Sequence, residues 1–205
     1  GTCGWKGAKG ALLNFDEHLR DPSNKARALG LFRLYLPAVF LKAGESLDWP
    51  AAGVLRWHEA VNDVVGGRSV AVTYSPLSGS IAVWNRSLDG DELEFGISGR
   101  LFTSNTLLYD RRSDGGPSSL WHQLTGEAIA GPAAGHRLQP LPSVLQTWAS
   151  WTEAHPETTV MAPDPSSKSL YKRDPYHSYR GSDVLRFPVD PLPPEGTLAY
   201  KDLVA

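Results

Sequence analysis

The stretch Val70-Ala71-Val72-Thr73-Tyr74-Ser75-Pro76-Leu77-Ser78-Gly79-Ser80-Ile81-Ala82-Val83-Trp84 decides the fold class. Val70, Val72 and Tyr74 alternate with Ser69, Ala71 and Thr73, the two-residue period of a strand, and β-branched and aromatic side chains suit the pleat. Pro, Ser and Gly then crowd together as they do in tight turns, and Ile81 to Trp84 reads as the returning strand. Strands joined so closely pair antiparallel, because a parallel pair needs a crossover of a dozen or more residues.

Working outward, Asp89-Gly90 is a second turn signal, followed by Leu93 and Phe95, and short strands are expected to continue to about Ile129. On the other side, Asp48-Trp49-Pro50 reads as a helix start. Val54, Trp57, His58, Val61 and Val65 fall on one helical stripe, which Gly66-Gly67 would close. A strongly apolar helix is expected over 24–36, ended by Pro37, and another from Pro142-Ser143 with Leu145, Trp148 and Trp151 facing inward, ended at His155-Pro156. Residues 162–194 are rich in Pro, Asp, Ser and Tyr, yet Tyr171, Tyr176, Tyr179 and Phe187 carry too much apolar area for a free tail. The expected architecture is one α+β domain: an antiparallel meander or partly closed barrel, about three helices, and a long ordered C-terminal wrap.

At 205 residues, with 41% hydrophobic and 20% charged content, the chain can bury a core without disulfides. Its formal net charge of -2 argues against nucleic acid as a partner, since phosphates demand a basic footprint. The most apolar segment, 28–41, carries Arg33 and Pro37 and is too short to span a bilayer. A single cysteine, Cys3, rules out dithiol chemistry within the chain. Gly1 opens the sequence and Met161 is the sole methionine, so a natural start upstream of Gly1 is expected.

Several side chains are candidates for chemistry. Ser75 and Ser78 lie in a turn between core strands, where a hydroxyl can serve as nucleophile or anion ligand, although no Gly-x-Ser-x-Gly elbow surrounds either. His58, beside Glu59 and a turn before Asp63, has the composition of a base oriented by a carboxylate. His122, in Trp121-His122-Gln123, is the other histidine in motif-like company. A metal site would draw on His58 and His122 with Asp63 or Asp110, but no pair has diagnostic ligand spacing. Arg111, in Tyr109-Asp110-Arg111, offers a fork for a carboxylate or phosphate at a strand end, although an internal pair with Asp110 is the commoner use. Tyr74, Asn105 and Gln123 complete the binding candidates. Asp89, Asp91, Glu92 and Glu94 read as a solvated hairpin tip.

Trp57-His58-Glu59, Asn62-Asp63, Gly66-Gly67 and Thr73-Tyr74-Ser75-Pro76-Leu77-Ser78-Gly79 occur in an order that resembles the bacterial and archaeal family of domain of unknown function 3179. The resemblance continues through Phe95-Gly96-Ile97-Ser98-Gly99, Asn105, Tyr109-Asp110-Arg111, Ser119-Leu120-Trp121-His122-Gln123 and Gly126. It resumes at Trp148, Trp151, His155-Pro156, Arg173-Asp174-Pro175-Tyr176, Phe187-Pro188-Val189 and Leu192-Pro193-Pro194. It implies a family core over 48–205, with 1–47 an N-terminal extension. The family brings no activity to carry over. Its hallmark loop usually reads Tyr-Cys-Pro-Leu, then Cys or Thr, then Gly, so the resemblance places Ser75 and Ser78 where relatives carry sulfur. Any thiolate-based redox or metal chemistry there would be lost, because a serine hydroxyl stays protonated near neutral pH and binds soft metals poorly. Many members look exported or membrane-anchored, which favours an extracytoplasmic location.

Two functional readings follow. One is a non-catalytic module binding a small molecule or a protein, or a degenerate homologue without its thiol site. The other is an enzyme or metal-binding pocket built from the Ser75–Ser78 loop, His58, Asp63, Arg111 and His122. No cofactor is legible in the sequence.

Overall fold

The structure, a computed structural model, describes residues 51–141 apart from 66, 113 and 114, the single residues 143 and 153, and 168–194 apart from 172 and 193. The helices expected at 24–36 and after 142, with Leu145, Trp148 and Trp151, lie outside the described residues, as does Cys3.

Helix α1 (Ala51–His58) leads directly into strand β1 (Ala60–Val65). The joint is Glu59, whose φ of 57° places it in the left-handed region and whose N–H closes the last turn onto the Leu55 carbonyl at 3.0 Å. The helix expected to run on to Val65 therefore stops at His58. Val61, Val64 and Val65 favour the pleat, and β1 pairs antiparallel along its length with β2 (Arg68–Ser75), from Ala60↔Thr73 to Val65↔Arg68. Asp63 consequently sits on a strand, not a helical turn beyond His58.

β2 returns as β3 (Ser80–Asn85), with Tyr74↔Ile81 and Ser75↔Ser80 in register. The hairpin read from the sequence is thus the centre of the first sheet. After the small hairpin β4 (Ser87–Leu88) and β5 (Asp91–Glu92) come β6 (Glu94–Phe102), β7 (Asn105–Arg111), β8 (Leu120–His122) and β9 (Ala128–Ala130). They form a second four-stranded antiparallel sheet in sequence order, while β10 (Gln139–Pro140) joins the edge of β3.

The core lies between the two sheets. Ala71, Ala82 and Trp84 from the first meet Phe95, Leu108, Trp121 and Ala128 from the second, with Leu138 alongside. Phe95 and Trp121 pack edge to face, with ring centroids 5.7 Å apart. Both sheets stay open, which corrects the expectation of a partly closed barrel. Where closure would require a ladder between β1 and β6, a single side chain supplies the link. Asn62 accepts from the Phe95 N–H and donates to the Phe95 carbonyl, each at 2.8 Å.

The acidic tip is as expected: Asp89, Asp91, Glu92 and Glu94 are all exposed, and Glu92 and Glu94 reach back to Arg86 and Arg111 at 2.6 Å each. Two short helices, α2 (Lys168–Tyr171) and α3 (His177–Arg180), belong to the C-terminal segment, where Tyr171 and Tyr179 are buried.

Candidate functional site

The loop between β2 and β3 sends its two serines to different neighbours on β7. Ser75 is fully buried, and its Oγ accepts the Thr106 backbone N–H at 3.1 Å. Ser78, on the exposed side of the turn, shares a 2.7 Å hydrogen bond with Ser80 Oγ and accepts from Asn105 Nδ2 at 2.9 Å. The two hydroxyls thus straddle the consecutive residues Asn105 and Thr106.

Behind Ser78 the network runs inward to Gln123, which is fully buried. Its Oε1 accepts from Ser80 Oγ at 2.7 Å and from Asn105 Nδ2 at 3.0 Å, and its Nε2 donates to Thr73 Oγ1 at 3.0 Å. The Gln123 carbonyl accepts Trp84 Nε1–H at 3.1 Å. A polar pivot of this kind belongs inside a core only when every group finds a partner, and here both ends of the amide do.

Behind Ser75 the path leads to Glu59. Thr106 Oγ1 lies 2.9 Å from Glu59 Oε2 and 3.3 Å from Ser75 Oγ. A threonine hydroxyl has one hydrogen, and the shorter bond to the carboxylate takes it. The Ser75 contact is then completed by the Ser75 hydroxyl donating to Thr106. The other carboxylate oxygen, Oε1, accepts from the Tyr176 phenol at 2.9 Å. Burial pushes the Glu59 carboxyl above its ordinary range, against the opposing pull of its bonds from Thr106 and Tyr176. Burial and the adjacent Glu59 also raise the Tyr176 phenol, which keeps it a hydrogen-bond donor.

Among the candidates read from the sequence, Ser75, Ser78, Asn105, Gln123 and Glu59 converge, and Tyr74 borders them by donating its N–H to the Glu59 carbonyl at 2.8 Å. His58 stands one residue away and turns to the C-terminal segment, with Nε2 2.9 Å from the Tyr171 hydroxyl. The others lie elsewhere. Arg111 is at the far end of β7 from Asn105, roughly 20 Å along the strand, and holds Glu94. Asp110 is buried and accepts the Ser119 N–H, tying down the loop before β8. Asp63 pairs with Val70, far down β2 from Ser75, and its Oδ1 accepts the Val64 N–H at 2.7 Å. His122 follows the core residue Trp121 and so faces the opposite side of β8. It shares a 3.0 Å hydrogen bond with Thr125 and packs edge to face on Phe102. Among the described residues, no group of three or more His, Cys, Asp or Glu side chains is placed to hold a metal ion.

Thr106, Ser80 and Tyr176 are not among the candidates read from the sequence. Ser80 and Thr106 are ordinary strand residues there, each close to a residue that does stand out. Tyr176 carries a signal, since Arg173-Asp174-Pro175-Tyr176 is one of the stretches on which the resemblance rests.

His58 and Glu59 make opposite contributions to pH dependence. Burial lowers His58 below its ordinary 6.5, so its contribution to stability is complete above 6.5 and is lost as pH falls toward the lowered value. Burial lowers His122 too, adding to the same limb. Glu59 is raised above its ordinary 4.5, so its contribution is complete below 4.5 and is lost as pH rises through the folded value. The two slopes oppose each other between those limits. Thermal melts across pH 4 to 8 should therefore show Glu59→Gln gaining stability with pH more steeply than the wild type up to about 6.5. His58→Gln should shift the slope the other way. Identical profiles in all three proteins would refute the assignment.

Fold and site together define an antiparallel two-sheet domain with a buried polar network at one sheet end, and no nucleophile–histidine pair is formed there among the described residues. The chain belongs to the family described as protein of unknown function (DUF3179), whose model matches residues 43–205. No curated protein and no solved structure matches it. Among the described residues, no helix is long and apolar enough to cross a membrane.

Proposed function

We propose that this chain is a non-catalytic binding module, a family member in which a thiol-based site at positions 75 and 78 has been replaced by a hydroxyl network that fixes the loop. The family core in this reading runs over 48–205, with 1–47 an extension, and the C-terminal residues wrap the core. The binding face is the polar sheet end where Ser78, Ser80 and Glu59 are not buried, backed by the buried Asn105 and Gln123, and its ligand is a small molecule or a protein segment presenting hydrogen-bond donors.

One observation carries the reading. Ser75 Oγ is fully buried and engaged by Thr106, while Ser78 Oγ is engaged by Ser80 and Asn105. A serine nucleophile needs a base within hydrogen-bond reach and an approach for the electrophile, and among the described residues Ser75 has neither. Hydroxyls that are fully partnered contribute to a pre-organised surface instead.

The test compares the wild type with Ser75→Cys/Ser78→Cys, both in a Cys3→Ser background. Bound metal is measured by elemental analysis and free thiol by titration after mild oxidation. The expected result is no stoichiometric metal in the wild type, and either bound metal or an internal disulfide in the double variant. Stoichiometric metal in the wild type would move the site to histidines and carboxylates and overturn the proposal. A double variant with two inert thiols would remove its thiol-site half.

A further inference from the structure

Four consecutive residues at the end of α1 all engage one distant piece of chain. Arg56 pairs with Asp174 at 3.9 Å, and Trp57 Nε1 donates to the Arg173 carbonyl at 3.1 Å. His58 Nε2 lies 2.9 Å from the Tyr171 hydroxyl, and Glu59 accepts from the Tyr176 phenol at 2.9 Å. Two stretches set apart in the sequence, Trp57-His58-Glu59 and Arg173-Asp174-Pro175-Tyr176, are thus the two halves of one clasp. Asp174 is shared, because Arg180 also pairs with it.

A second docking point lies across the site. The turn between β6 and β7 has both Thr103 and Ser104 at positive φ, 47° and 58°, and the buried Ser104 hydroxyl points to the Phe187 and Pro188 carbonyls, 3.0 Å from each. Glu59 and Ser104 flank Asn105 and Thr106, the residues that hold Ser78 and Ser75. The C-terminal segment is therefore fastened on either side of the candidate site.

The fastening is polar and shallow. Among the described residues of this segment Tyr171 and Tyr179 are the buried hydrophobic ones, whereas Val184, Phe187 and Leu192 are exposed. Tyr179 is packed partly by the segment itself, with Arg186 5.7 Å over its ring and donating to the Ser178 carbonyl. An element fastened through side-chain hydrogen bonds and ion pairs, without a ladder to either sheet among the described residues, opens more readily than the sheets beneath it.

We infer that the described residues of 168–194 form a strap clasped over the line Ser75–Thr106–Glu59, and that its release controls access to the site. The inference rests on the binding reading given above. Tyr176 is the outermost member of the line, since its phenol occupies one Glu59 oxygen while Thr106 occupies the other. A ligand reaching Glu59 or Ser75 has to displace that phenol, so the strap acts as an internal competitor. The group that takes its place must be a hydrogen-bond donor, an O–H or an N–H, because Glu59 presents acceptor oxygens there.

The test reads the strap without any ligand. In a Cys3→Ser background, Ser75→Cys places a thiol under the strap and Val72→Cys places one at another buried position of the same strand, on its opposite face, and maleimide labelling rates are compared. The thiol at position 75 is expected to label slowly, and Tyr171→Phe/Tyr176→Phe should accelerate it by roughly tenfold or more, the scale of losing two clasp hydrogen bonds. The thiol at position 72 should stay protected, with an unchanged near-ultraviolet dichroism spectrum. Equal acceleration at both positions would show global opening and overturn the strap, and so would an unchanged rate at position 75. Either failure leaves the binding reading to be judged by the thiol and metal measurements alone.

Discussion

Gln123→Ala is expected to destabilise the fold by about 3 kcal/mol, lowering the unfolding midpoint by roughly 10 °C. The side chain is fully buried, so water does not replace what it supplies. Its loss removes the acceptor for Ser80 at 2.7 Å and Asn105 at 3.0 Å, together with the donor to Thr73 Oγ1 at 3.0 Å. Part of the loss is recovered locally. Asn105 Nδ2 keeps Ser78 and Ser80, both at 2.9 Å, and Thr73 Oγ1 still donates to the Ala82 carbonyl at 2.8 Å. That compensation holds the expected cost near the strength of two buried hydrogen bonds rather than three. Gln123→Glu separates polarity from shape. It preserves the acceptor for Ser80 and Asn105 but turns an acceptor toward the Thr73 oxygens, so it should be more damaging at neutral pH and recover as acid protonates the new carboxyl. A denaturant titration placing Gln123→Ala within 1 kcal/mol of the wild type would mean the network is not the pivot described.

The strands were legible because their signals are local. Alternation in 70–74, a Pro/Ser/Gly turn and Ile81 to Trp84 are enough to specify the β2–β3 hairpin, which forms in the expected place. The helical stripe from Val54 to Val65 misled, because period alone does not reveal a reversal at one residue. Glu59 enters the left-handed region, usually left to Gly or Asn, at a cost on the order of 1 kcal/mol. No local pattern announces it, and the partners at its carboxylate, Thr106 and Tyr176, are far off in sequence. The site was half legible for the same reason. Polar residues in distinctive company, such as Asn105 and Gln123, stand out in the sequence, whereas Thr106 becomes meaningful only when β7 is laid beside β2. His58 and His122 were natural partners on paper, yet the alternation of strand β8 turns His122 away from Gln123 and toward Phe102. The commoner use of Arg111, a pair with Asp110 within the strand, gives way to Glu94 across the β6–β7 ladder.

Gly126→Ala should cost about 3 to 4 kcal/mol, the largest loss expected from so small a change. Gly126 has φ of 67°, and a Cβ placed there would lie 2.7 Å from the Trp84 ring. The indole has nowhere to retreat. Trp84 is buried in the core shared by the two sheets, and its Nε1–H is fixed on the Gln123 carbonyl at 3.1 Å. Gly126 is equally constrained, because its N–H donates to the His122 carbonyl and its own carbonyl accepts from Leu138, both at 2.9 Å. Relieving the clash therefore means breaking either the turn after β8 or the indole bond that anchors the polar network. Gly67→Ala isolates the backbone part of the effect. Gly67 has a comparable φ of 74° with nothing within 4 Å of the added carbon, so it should lose only about 1 kcal/mol. If the two variants melt together, the contact with Trp84 contributes nothing. If Gly126→Ala falls well below Gly67→Ala and also speeds labelling of a thiol at position 75, the Trp84–Gln123 bond is what couples the core to the serine loop.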